Sequence, residues 1–153
     1  MANPKKCLLF KDAVGNCREI TGALKAGLSA MKTNSKSVHV ADTKLIDGSV
    51  DIDEAVKSMR PDESRWDYVV GYSNEAFFLE VHPADTKNVD EMVKKVKWLK
   101  DWLATSATGL RSLHKRNVYY WIPSGRVNIL KGSVQYKKIA ANHLLIKKPV
   151  ILS

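Results

Sequence analysis

The chain is poor in the features that most quickly assign a small protein to a class. It has two cysteines, Cys7 and Cys17. They do not form a CxxC pair, and no third cysteine completes a thiolate metal site. In a reducing compartment both are expected as free thiols rather than a disulfide. No apolar run approaches the roughly 18 residues that a membrane-crossing helix needs, so no membrane partner is expected. The apolar stretch 7–10 behind the first lysines is too short for a signal-peptide core, and the cytoplasm is the expected compartment. Gly22, Gly27 and Gly48 lack the spacing and the Lys-Ser/Thr ending of a phosphate-binding loop. No serine stands in a nucleophile-elbow context. The acids Asp47, Asp51, Asp53 and Glu54 are not spaced with the glycine and closing glutamate of a calcium loop. No repeat, low-complexity tract or linker divides the 153 residues. Residues 1–153 are therefore expected to form one domain with a proper core.

Acids are almost absent from the later part of the chain. Residues 1–93 hold 12 Lys and Arg against 15 Asp and Glu, a balance of −3. Residues 94–148 hold 13 against Asp101 alone, a balance of +12, and together these give the net +9. Such a one-sided field attracts a polyanion, most often nucleic acid held through its phosphates. A basic membrane-surface helix is the lesser competitor.

The periodicity gives alternating elements. Asn16 with Glu19 three positions on reads as a capping box. Cys17, Ile20, Leu24, Leu28 and Met31 then recur at helical spacing, which predicts a helix over 17–32. A brief strand is expected at 7–10 and another at 37–41. A turn is expected at 47–49, a short strand at 50–52, and a short helix capped by Asp53. Val89, Met92, Val93, Val96, Leu99, Trp102 and Leu103 form an apolar stripe, which predicts a helix over 89–104 capped by Asn88. Trp98 and Trp102 are read as packing residues on it. A basic loop or short turn follows at 109–115, then a buried strand at 118–122, a short strand at 127–130, a helix over 135–145 and a final strand at 149–152.

The stretch 65–103 organises the rest. Residues 66–72 and 76–81 are rich in β-branched and aromatic side chains and read as a hairpin around Ser73-Asn74. With Tyr72 opposite Glu75, Asp67 falls directly opposite Glu80. Their Cβ atoms are then about 5 Å apart on one face. Glu80 and His82 are two apart on one strand and share that face. Two acids and an imidazole therefore converge at one end of an otherwise apolar hairpin. A slip of one residue would separate them.

Two carboxylates are the oxygen ligands that Mg²⁺ takes, with waters and substrate phosphate completing its shell. His82 suits a softer ion such as Mn²⁺, or acid–base work. Mg²⁺ or Mn²⁺ is the expected cofactor, with Asp67 and Glu80 as its ligands. The bland alternative for this pair is a salt-bridged knot at a sheet end, closed by Arg65 or a helix lysine.

The order of elements and the Asp67…Glu80-Val81-His82 pattern resemble the PD-(D/E)XK, or restriction-endonuclease-like, nuclease superfamily over residues 16–122. The chain is also similar to a branch of small bacterial members with the same Glu-Val-His variant, a WLKDWL helix and later VNI and QY segments. The resemblance implies an α/β (α+β) fold: a restriction-endonuclease-like core, its central mixed sheet of about five strands containing a β-hairpin or meander and flanked by helices. It implies metal-dependent cleavage of DNA or RNA phosphodiester bonds. Asp67 corresponds to the family's first acid and Glu80 to the second. His82 stands where the family has a lysine that positions water and stabilises charge. A lysine of the following helix, Lys94, Lys95 or Lys97, is expected to replace it. Glu19 corresponds to an auxiliary acid that some members carry on the first helix. Lys94, Lys100, Arg111, Lys115 and Arg116 are the expected phosphate contacts. Two further readings stay open: a catalytically inactive module on the same scaffold that binds nucleic acid, and a basic protein acting through a protein partner or as a homodimer.

Overall fold

A computed structural model describes residues 8–153. The hairpin turn is set by two residues with positive φ, Ser73 at 50° and Asn74 at 59°. This is the primed-turn geometry that matches the right-handed twist of paired strands. The strands it joins, β3 (Tyr68–Tyr72) and β4 (Glu75–His82), pair antiparallel from Tyr72 opposite Glu75 to Tyr68 opposite Leu79. The expected register is the observed one. Asn74 is clamped from outside the hairpin: its Oδ1 accepts from Phe10 N at 3.0 Å and its own N–H donates to Asp47 Oδ2 at 2.7 Å.

Around the hairpin a mixed sheet of five strands forms in the order β2-β3-β4-β5-β6. β2 (Ile46–Asp51) completes an antiparallel meander. β5 (Tyr119–Pro123) lies parallel beside β4, and β6 (Leu144–Ile146) parallel beside β5. Separately, β1 (Val38–Val40) pairs parallel with β7 (Val150–Leu152). One face of the large sheet packs under α3 (Val89–Thr105), joined by the short helices α1 (Phe10–Gly15), α2 (Ile52–Val56), α4 (Thr108–Leu113) and α5 (Val134–Ala141). The other face packs Val70, Phe77, Leu79, Tyr120 and Ile122 against Met31, Val38, Val150 and Leu152. Burial on both faces explains why β3 and β4 read as nearly continuous apolar runs. The fold is thus α+β, a five-stranded mixed sheet flanked by helices, and no helix among the described residues is long and apolar enough to cross a membrane.

Helix α3 matches its expected span within a residue. Its entry differs: Asp85 and Asn88 form a reciprocal capping box around a 3-10 turn at Thr86–Asn88. Asp90 and Glu91 then place negative charge at its positive end.

Several expectations are corrected. Residues 17–32 are not a helix. Asn16 ends α1 instead of starting a helix, and turns follow it. Gly22 and Gly27 have φ of 85° and 55°, Lys25 forms a bridge with Ser49, and a kinked 3-10 segment spans Ser29–Ser37. Cys17, Ile20 and Met31 are buried all the same, so the apolar spacing reported burial without a helix. The turn expected at 47–49 is the bulged middle of β2, where Gly48 has φ of 144°. Asp51 caps α2 through the N–H of Glu54, in place of Asp53. The basic loop or short turn expected at 109–115 is mostly taken up by α4, which starts at Thr108 and ends at Leu113. The strand at 127–130 reduces to one bridge, Asp85 with Asn128. The helix over 135–145 stops at Ala141, and His143 at φ 60° turns the chain into β6. Of the strand expected at 7–10, Cys7 lies outside the described residues and Phe10 already opens α1. Cys17 is buried as a free thiol, donating to the Ser106 carbonyl at 3.2 Å.

Candidate active site

The ladder carries Asp67 and Glu80 to the end of the hairpin opposite its turn. Glu80 shares the strand face of Ala76 and Phe78, which lie in the core beneath α3. Its side chain is only 1% exposed. Oε1 accepts from the Asp67 backbone N–H at 3.0 Å, and Oε2 accepts from Lys95 Nζ at 2.8 Å. Asp67 answers across the pair, with Oδ2 accepting from the Val81 N–H at 3.0 Å. Its carbonyl accepts from Ile52 N at 2.8 Å at the start of α2. Each acid is therefore fixed to the backbone of the other strand, Glu80 to Asp67 and Asp67 to Val81. Lys95 reaches in from the second turn of α3 and also donates to the Arg65 carbonyl at 3.2 Å.

His82 stands at the outer edge of this cluster. Its Nδ1 is 3.7 Å from Glu80 Oε2, and its Nε2 is 3.2 Å from Glu91 Oε2. Glu91 was not singled out from the sequence. Its position four residues before Lys95, on the same face of α3, was the signal that could have found it. The carbonyl of His82 is fixed by Trp121 Nε1 at 3.0 Å and Ser124 N at 3.1 Å.

The electrostatics follow from burial around few charges. Burial pushes the Asp67 carboxyl up to about 7, and the neighbouring charge of Glu80 adds to this. Glu80 raises His82 above its ordinary value, against the opposing effect of burial. Burial alone would lower Lys95, but the charge and hydrogen bond of Glu80 outweigh it and the net shift is upward. Near neutrality the site therefore holds an ammonium, an imidazole inclined to protonate, and one carboxyl close to its titration midpoint.

Among the described residues no group of three or more His, Cys, Asp or Glu side chains is arranged to hold a metal ion. Asp67 and Glu80 are nonetheless two hard oxygen donors, the number that Mg²⁺ takes from a protein when water and phosphate supply the rest. In donor chemistry the pair fits such an ion.

The other expected site residues scatter. Glu19 sits in a turn and is gripped by Arg60, whose Nη2 and Nε donate to it at 2.7 and 2.9 Å, and by Trp102 Nε1 at 3.1 Å. Trp102 lies two helical turns beyond Lys95, about 10 Å along α3. Glu19 shares no hydrogen bond with Asp67 or Glu80. Arg60 lowers its carboxyl below the ordinary value, so it serves a structural ion pair. Trp98 and Trp102 stack at 5.6 Å beside this knot, as packing residues. Lys94, Lys97 and Lys100 are exposed at three-residue spacing along the outer face of α3; Lys97 does not enter the carboxylate cluster. Lys100 and Arg111 line a pocket of about 350 Å³ with His114, Asn117 and Tyr119, where Lys100 Nζ lies 5.6 Å from the Tyr119 ring centre. Lys115 is exposed nearby in sequence. Arg116 departs from the group: it pairs with Glu75 at 2.8 Å and lies over Phe77, on the sheet face away from α3. A larger cavity of about 450 Å³, between residues 23–32 and the β2–α2 junction, shares no residue with the carboxylate site.

No protein-family model, curated protein or solved structure matches the chain.

Proposed function

We propose that the protein is a metal-dependent nuclease of the PD-(D/E)XK type, acting on phosphodiester bonds of DNA or RNA. One observation carries this reading: Lys95 Nζ lies 2.8 Å from Glu80 Oε2 while Asp67 is locked to the same acid. Two acids and a lysine thus meet although the strand position after Glu80-Val81 holds His82. The order of antiparallel meander, long helix and parallel strand supports it as well. The first helix that the resemblance called for, over 17–32, is absent.

Bound to Asp67 and Glu80, Mg²⁺ or Mn²⁺ would polarise the phosphate and acidify a water. The chain's own groups act around that centre. Lys95 keeps its charge at neutral pH, orients Glu80, and has one further N–H donor for a phosphate oxygen. His82, drawn toward protonation between Glu80 and Glu91, adds positive charge at the edge. Lys100 and Arg111 supply a second phosphate contact on the same side of the sheet.

The test is incubation with single-stranded, duplex and branched DNA and RNA in Mg²⁺ and in Mn²⁺. Cleavage is expected, with loss in an Asp67→Asn variant whose circular dichroism is unchanged, and in Glu80→Gln and Lys95→Ala variants assayed at a temperature where circular dichroism shows them folded. A panel left intact by the wild type in both metals removes catalysis. A second reading, a binding module without catalysis, is favoured by one fact: both Glu80 oxygens already have protein donors. It expects salt-sensitive nucleic-acid binding that chelator and Glu80→Gln leave unchanged.

A further inference from the structure

The turn between β5 and α5 is built to hold aliphatic side chains in water beside the carboxylate site. It leaves β5 at Pro123, which pairs with His82. Asn128 ties it down: its N–H donates to the Ala84 carbonyl at 2.8 Å, and its Nδ2 to Asp85 Oδ1 at 2.6 Å. Ile129 is 8% exposed and anchors the turn in the core. The next residue, Leu130, is 81% exposed. Its carbonyl accepts from both Ser133 N–H and Ser133 Oγ, at 3.2 and 2.7 Å, and Ser133 Oγ caps α5 by accepting from Tyr136 N. The tip is thus a tied turn rather than a loose loop.

Single exposed aliphatics are ordinary on protein surfaces. Here Val127 at 45% and Val134 at 65% lie within four residues of Leu130, in a stretch that also carries Arg126, Lys131 and Lys137, while Lys138 is paired with Asp90 at 3.2 Å. No acid occurs in residues 126–148. The positive field argues against a second copy of this chain as the occupant and for a polyanion. The place of the turn, one strand from Glu80 and His82, makes duplex nucleic acid the polyanion that also meets the site.

We propose that Leu130 is a wedge that enters the base stack of a bound DNA duplex. Val127 and Val134 would shield the opened step, and the cations would hold the flanking phosphates. Aliphatic insertion of this kind unstacks a step and kinks the helix. The proposal rests on the nuclease reading for its choice of ligand, but its readout does not depend on cleavage.

The experiment uses the full chain in EDTA with duplex DNA carrying 2-aminopurine, whose emission rises on unstacking, at successive positions. Wild type is expected to raise emission at a localised step. Leu130→Ser is expected to lose that rise while retaining salt-dependent binding and the wild-type melting temperature. Lys131→Ala is expected to weaken binding and keep the rise at saturation. A duplex bound without any rise, a rise that survives Leu130→Ser, or binding to phosphatidylserine vesicles with none to duplex each overturns the wedge. If the rise is found but Mg²⁺ and Mn²⁺ yield no cleavage, the nuclease reading fails and the wedge stands.

Discussion

Lys95 and Glu80 show how much depends on one pair. Glu80 is buried in the sheet and Lys95 is the only ammonium on it among the described residues. Removing one partner leaves a charge with no water to replace it. Lys95→Met is therefore expected to destabilise the fold by about 3–5 kcal/mol, read by denaturant unfolding. Lys95→Met combined with Glu80→Gln should recover much of that loss, because the unpaired charge is gone. Simple loss of packing would not be recovered.

Asp67 gives the same site a pH dependence of defined sign. Its ordinary value is 3.8, and in the fold it rises to about 7. Between those values the folded state binds more protons than the unfolded one, so this residue makes stability fall as pH rises through that window. His82, raised above 6.5, contributes in the same direction: its stabilisation is complete below 6.5 and is lost as pH rises through its folded value. Asp67→Asn should flatten the profile between about pH 4 and 7, measured by denaturant midpoints. On the nuclease reading a metal ion would have to displace the Asp67 proton, so Mg²⁺ affinity by calorimetry should climb until about pH 7 and then level off.

At the scale of elements, the hairpin is held in place by helix α1. Phe10 is fully buried and its ring lies flat over Gly71 of β3, where an added Cβ would collide with it. The backbone of Gly71 is ordinary strand, so space alone requires the glycine. Gly71→Ala is expected to cost about 1–3 kcal/mol by thermal or denaturant unfolding. Phe10→Leu in the same background should restore part of it. An unchanged stability would mean that α1 yields freely and does not fix the hairpin.

For the whole molecule, the relevant quantity is where the charge of +9 lies. The helix face with Lys94, Lys97 and Lys100, the pocket with Arg111, and the cations of residues 126–148 all belong to the acid-poor later part of the chain. Each phosphate neutralised in duplex DNA lowers the logarithmic salt slope of binding by about 0.9. Lys100→Ala and Arg111→Ala should each make that slope shallower by about this amount. Arg116→Ala should leave it unchanged, because Arg116 is paired with Glu75 on the other face. Fluorescence anisotropy across a salt series separates these outcomes.

The sequence by itself determined the hairpin, its register, the apolar stripe of α3 and the placing of two acids opposite each other. These are local matters: period-two and period-3.6 patterns and a two-residue turn specify them over short separations. It did not determine the first forty residues, because apolar spacing records burial and Cys17, Ile20 and Met31 reach the core from turns. Nor did it decide which lysine meets Glu80, since Lys94, Lys95 and Lys97 differ only in azimuth once α3 is laid on the sheet. The same docking set Glu91 against His82, gave Glu19 to Arg60, and sent Arg116 to the opposite face. Charge and pattern are carried by the chain, whereas the pairing of charges depends on how helix and sheet are packed together.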